Sequence, residues 1–144
     1  MSRALALTEA RVGLNHPDLI FTLSALGVLY TGTGRYDDAV AQFQRALKIV
    51  EPQAEDFDTR IARLLHGMAT AHRKAGRLNE AADELAKATV IARRNLEPHP
   101  DMVQIIEDYS SMLKSQGKPK EAEELRAEAR RTRVKSSLVI NTHN

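Results

Sequence analysis

The chain has 144 residues, 42% hydrophobic and 28% charged, with a net charge of +2 at pH 7. This is the balance of one ordinary folded domain, without the strong basic field that nucleic-acid binding uses. The absence of cysteine excludes disulfides, cysteine-zinc sites and thiol catalysis. No apolar run reaches the roughly 20 residues a membrane helix needs, and Met1 to Leu14, which includes Glu9 and Arg11, has no signal-peptide pattern. A cytoplasmic protein without membrane contact is expected.

Apolar residues recur at helical spacing nearly throughout, and no segment alternates as a strand would, so the expected class is all-α. Seven helices are expected, over 2–14, 17–33, 36–51, 57–75, 78–95, 99–116 and 119–136. The second carries the stripe Leu19, Leu23, Leu26 and Tyr30, after the turn Asn15-His16-Pro17-Asp18. Val40, Phe43, Leu47 and Val50 line the third, and Ile61, Leu65, Met68 and His72 the fourth. The fifth has Leu78, Ala81, Leu85 and Ala88; the sixth has Met102, Ile106, Tyr109 and Leu113, after Glu97-Pro98-His99-Pro100-Asp101. Proline is tolerated in a first helical turn, and acids there meet the positive end of the helix dipole. Residues 137–144 are expected to form a flexible tail.

Three phrases punctuate these helices: Gly34-Arg35-Tyr36-Asp37-Asp38-Ala39, Gly76-Arg77-Leu78-Asn79-Glu80-Ala81 and Gly117-Lys118-Pro119-Lys120-Glu121-Ala122. The glycines are 42 and 41 residues apart, and Ala46, Ala88 and Ala129 follow at the same offset. Self-similarity at such a period is the signature of a stacked repeat protein, which presents surfaces more often than catalytic constellations. Glycine suits the left-handed residue that closes a helix.

The pattern Leu23-x-x-Leu26-Gly27-x-x-Tyr30, then Ala39-x-x-x-Phe43, resembles the tetratricopeptide repeat (TPR) signature, with Leu23 in place of the usual Trp. Leu65, Met68, Ala69, His72, Ala81 and Leu85 form a degenerate second copy. Ile106, Tyr109, Ser110, Leu113, Ala122 and Arg126 form a weaker third. A repeat of 42 residues rather than the usual 34, preceded by His-Pro-Asp, is similar to the kinesin light chain-like type of TPR array. The resemblance implies a right-handed α-solenoid of antiparallel helix pairs, a TPR-like superhelix of about seven helices. Its parts are a half-repeat over 1–16, repeat 1 over 17–57, repeat 2 over 58–98 and repeat 3, a cap, over 99–136. Ala4 stands one period before Ala46, so the chain is expected to begin mid-repeat, as a fragment of a longer array would. Arg126 in place of an aromatic or leucine fits a polar capping face.

In TPR arrays the first helix of each repeat lines the concave surface. By register this gives a peptide-binding groove of Ser24, Val28 and Thr31, then Arg63, His66, Thr70, Arg73 and Lys74, then Gln104, Glu107, Asp108, Ser111 and Lys114. The basic middle suggests a protein or peptide partner with acidic residues, held by charge-assisted contacts. Kinesin light chain arrays hold peptide backbone with paired asparagines. The corresponding positions here are Ser24-Ala25, His66-Gly67 and Glu107-Asp108, so the resemblance does not extend to that family's tryptophan-acidic cargo.

No catalytic set is present. Glu107 and Asp108 are adjacent on a helix and point about 100° apart, so they do not converge. No His-x-x-x-His or Glu-x-x-His pair offers a metal site, and neither a cofactor nor a metal is expected. His72 reads as a packing residue in an aromatic position. The basic run Arg126, Arg130, Arg131, Arg133 and Lys135 has no interleaved aromatic on which a base could stack, and reads as a solvated helix face. Leu5, Leu7, Val12 and Leu14 form an apolar edge through which two chains could self-associate. The expected function is a non-catalytic interaction scaffold. The alternatives are a regulatory or sensory domain of a larger protein and a nucleic-acid-binding regulator.

Overall fold

A computed structural model describes residues 2–13, 16–56, 58–95 and 100–143; the side chains of Ser2, Ala4, Arg11, Val12 and 132–143 lie outside the description. Seven α-helices make up the described chain: α1 (Ser2–Val12), α2 (Leu19–Gly32), α3 (Tyr36–Val50), α4 (Thr59–Lys74), α5 (Leu78–Arg94), α6 (Pro100–Ser115) and α7 (Pro119–His143). A single 3-10 turn, Glu51–Gln53, follows α3, and no strand occurs among the described residues.

The three glycine turns are closed in the same way. Gly34, Gly76 and Gly117 have φ of +81°, +82° and +78°. In each, the residue after the glycine donates its N–H to a carbonyl five residues back: Arg35 to Tyr30 (2.8 Å), Arg77 to His72 (2.8 Å) and Lys118 to Leu113 (2.9 Å). The glycine N–H itself bonds three residues back, to Thr31, Arg73 and Lys114. This is the Schellman closure, which needs a left-handed residue at the glycine. In the first turn the Arg35 guanidinium also stacks over the Tyr30 ring, 4.3 Å from its centroid.

The helix starts follow their local chemistry as well. Asp58 caps α4 by accepting from the Arg60 N–H at 2.9 Å, and its carboxylate pairs with the Arg60 guanidinium at 2.8 Å. The Arg60 hydrogen bond holds the Asp58 carboxyl below its ordinary value, against the upward push of burial. Pro100 opens α6, with Asp101 in its first turn. At the second helix, His16-Pro17-Asp18 forms a turn ahead of Leu19, in which Leu19 donates to the His16 carbonyl at 2.9 Å.

Each helix packs on its successor, and α2, α4 and α6 also touch one another in sequence. The result is a two-layer stack: the first helices α2, α4 and α6 form one layer, and α3, α5 and α7 the other. Small residues set the spacing. Ala39, Ala46, Ala81, Ala88, Ala122 and Ala129 are all buried, at the positions where the sequence pattern expects close approach. Leu19, Leu23, Val50, Met102, Ile105 and Ile106 fill the space between.

Two differences from the sequence expectations appear. Helix α7 continues to His143, past 136, where a tail was expected. No glycine or proline follows Pro119, so nothing in the backbone stops the helix. The expected packing role of His72 is also incomplete. It is buried, but its Nδ1 lies 2.9 Å from the Glu84 carboxylate, so it serves as half of a polar pair between α4 and α5. Burial pushes the Glu84 carboxyl up, against the pull of His72.

Candidate functional site

The layer of first helices carries an open cleft of about 490 Å³ between α2 and α4. Seven of the residues placed in the groove by register line it: Ser24, Val28 and Thr31 from α2, and Arg63, His66, Thr70 and Lys74 from α4. Sequence reasoning missed Gly32, Phe43 and Gly67, which complete the lining. Phe43 rises from α3 to form the floor. Its ring is wedged between two glycines: a Cβ built on Gly27 would lie 2.5 Å from the ring and one on Gly67 2.6 Å. The ring therefore reaches between α2 and α4 only because neither helix carries a side chain there.

A second cleft of about 430 Å³ adjoins the first through Ser24 and Arg63. Pro17, Ile20, Phe21, Arg60 and Leu64 complete its walls. The signal for this apolar half was present in the sequence: Leu19 to Gly34 contains no charged residue, so α2 has apolar side chains on both faces.

The remaining register positions lie outside the cleft, and Asp108 is the best connected of them. Asp108 Oδ2 sits 2.6 Å from His66 Nε2, and Gln104 donates to Asp108 Oδ1 at 2.9 Å. Burial pushes the Asp108 carboxyl up, but the hydrogen bonds of His66 and Gln104 and the charges of His66 and Arg73 hold it below its ordinary value. Arg63 pairs with Asp101 at 3.1 Å. The α4–α6 half of the groove is thus laced by ionic contacts, and the cations expected to meet an acidic ligand already face acids of the third repeat. Lys114 lies near Glu123 of α7, whose carboxyl Arg130 and Lys114 help hold down. Glu107 is half-buried and Ser111 exposed. Lys74, at the end of α4, lies in the open cleft.

Among the described residues, no group of three His, Asp or Glu side chains comes together as a metal set, and no helix is long and apolar enough to cross a membrane. His99 lies outside the described residues, as do the side chains of Arg133, Lys135 and His143. Within the basic run, Arg130 pairs with Glu123 at 2.8 Å, so this arginine is already neutralised. Of the apolar edge on α1, Leu5 packs against the core and Leu7 is exposed; Leu14 and the Val12 side chain are outside the description.

The tetratricopeptide repeat family model matches residues 1–51 and 60–133. The chain belongs to the tetratricopeptide repeat family. No curated protein matches the sequence. Among solved structures, the fold is similar to a Podosopora anserina protein described as a kinesin light chain with nearly identical TPR-like repeats. The TM-score is 0.72 at 21% identity, over 94% of this chain and 65% of that one. It is also similar to BtubC (BKLC) from P. vanneervenii, with a TM-score of 0.72 at 21% identity, over 90% of this chain and 52% of that one. This TPR chain thus spans between half and two thirds of the length of those structures. The likeness is one of fold: an α-solenoid of the kinesin light chain-like kind, in a family of non-catalytic protein-interaction scaffolds.

Proposed function

We propose that the chain is a docking module that takes a peptide segment of a partner protein along its layer of first helices. The segment seats an apolar side chain in the α2–α4 cleft and directs a carboxylate to Lys74. The observation that carries this reading is the contrast between the two halves of the groove. Between α4 and α6 the basic groups face Asp101 and Asp108. Between α2 and α4 no ion pair can form, because α2 has no charge, and the space stands open over Phe43. Its size lies within the range of small-ligand and side-chain pockets. Apolar burial would supply affinity, and the charge-assisted contact would set register.

Peptide-display selection on the purified chain tests the reading. Enriched sequences should pair a large apolar residue with a nearby acid. Fluorescence anisotropy with the best peptide should show at least about tenfold weaker binding to Val28→Glu and to Lys74→Glu. No enrichment, or full affinity in both variants, refutes it.

A further inference from the structure

The two clefts between α2 and α4 follow one another along the helices, and Ser24 and Arg63 belong to both. The second is walled by Ile20 and Phe21 at the start of α2 and by Arg60 and Leu64 at the start of α4. The first reaches Gly32 and Lys74, where the same two helices end. Helices α2 and α4 therefore run in the same direction along the groove. The linings are centred about seven residues apart on α2 and about six on α4, which is about 9–10 Å at the helical rise.

That spacing selects the conformation of a ligand with a side chain in each cleft. An α-helix presents positions i and i+7 on one face, about 10 Å apart. An extended strand presents same-face residues about 7 or 13 Å apart, and neither distance matches. The walls give an independent reason. The Thr31 and Thr70 hydroxyls donate to the Gly27 and His66 carbonyls, at 2.8 and 3.0 Å. His66 and Arg63 face Asp108 and Asp101. An extended segment would bury its backbone groups against few partners, at a cost. A helix satisfies its own.

We propose that the occupant of this groove is an amphipathic helix of a partner protein, antiparallel to α2 and α4, with a large apolar side chain in each cleft at i and i+7. This rests on the docking function proposed above and adds the ligand's conformation, spacing and direction. The direction follows from charge. Lys74 stands at the end where α2 and α4 finish, so a carboxylate directed to it sits beside the first-cleft anchor, one turn away at i−4. An acid is favoured near the N-terminus of its own helix, and that positive end then meets the carbonyl ends of α2 and α4. The ligand's own carbonyl end lies toward Arg60 and Arg63.

Fluorescence anisotropy and circular dichroism with synthetic peptides test the proposal. The probe has about 20 residues, enough to hold a helix, with Leu at i and i+7 and Glu at i−4 in an Ala-Gln background. Binding should be saturable and should add helical signal. Proline at i+3, or the second Leu moved to i+5, should weaken it at least about tenfold. Phe21 is 83% exposed, so Phe21→Gln removes a wall of the second cleft without touching the core. It should reduce the two-leucine peptide to the affinity of a peptide with the first Leu alone, and leave that shorter match unchanged. Val28→Glu should weaken both. Full affinity with the proline or the shifted leucine, or indifference to Phe21→Gln, overturns the helical occupant while the effect of Val28→Glu upholds the docking function. No binding of the probe, where peptide display yields a ligand, also overturns this proposal alone. No ligand from either experiment overturns both.

Discussion

Gly67→Ala and Gly32→Ala are the same chemical change in first helices, and the structure gives them opposite signs. A Cβ on Gly32 meets nothing within 4 Å. Alanine there gains helix propensity and narrows the unfolded ensemble, for a stabilisation of about 0.5–1 kcal/mol. A Cβ on Gly67 would lie 2.6 Å from Phe43 Cζ and 2.7 Å from Cε1, where ordinary contact begins near 3.4 Å. The ring has little room to yield away from α4, because α2 approaches so closely on its far side that a Cβ at Gly27 would also clash, at 2.5 Å. Overpacking of a hemmed side chain costs about 2–3 kcal/mol. Less about 1 kcal/mol of propensity, the net destabilisation is about 1–2 kcal/mol. The decisive assay is a double-mutant cycle by urea denaturation. With Phe43→Ala in the background the obstruction is gone, and Gly67→Ala should become stabilising, like Gly32→Ala. A coupling near zero, or a stabilising Gly67→Ala in the wild-type background, would refute the wedge.

Three further outcomes follow from the same geometry. Glu84→Leu alone strands the buried His72 and should cost about 1–3 kcal/mol. The double variant His72→Leu, Glu84→Leu, which copies the Leu113 and Leu125 pair of the next repeat, should recover most of that in thermal denaturation. Asp108 has a carboxyl held below the ordinary 3.8, so its contribution is present above that value and lost as pH falls through the lowered folded value. Asp108→Asn should accordingly show a shallower loss of stability on acidification below about pH 4, read by urea midpoints across a pH series. Ser110, buried on α6, donates to the Ala122 carbonyl at 2.6 Å. Ser110→Ala should cost about 0.5–1.5 kcal/mol, whereas Ala69, its counterpart in α4, fills the same position without any such bond.

The helix ends and the repeat register were legible because backbone rules decide them. A left-handed residue after each first helix nearly demands glycine, and Pro100 fits only at a start. The small residues that space the layers were legible for the same steric reason. What stayed hidden depends on the offset between helices. The Glu84 carboxylate reaches His72 only because α4 and α5 are adjacent and aligned at that level. Asp108 reads as a groove residue and Asp101 as part of a helix entry turn, yet they turn toward His66 and Arg63 of the previous repeat. Gly67 was treated as a vacant asparagine position, although its role is to admit the Phe43 ring. The exposed apolar face of α2 is hidden for a different reason: one apolar stripe already accounts for the helix, and the second face is marked in the sequence only by missing charge.

That missing charge also orders the groove. Along equivalent positions the first helices run from Phe21, Ser24, Ala25 and Val28, through Arg63, His66, Gly67 and Thr70, to Gln104, Glu107, Asp108 and Ser111. The basic helix stands between an apolar neighbour and an acidic one. A carboxylate arriving on the α6 side must displace Asp101 or Asp108 from contacts already made, and such an exchange of one ion pair for another gains little. An apolar side chain arriving on the α2 side displaces only water above Phe43, and gains roughly 25 cal/mol for each Å² it buries. Affinity for a ligand should therefore be decided between α2 and α4, with charge acting there mainly through Lys74.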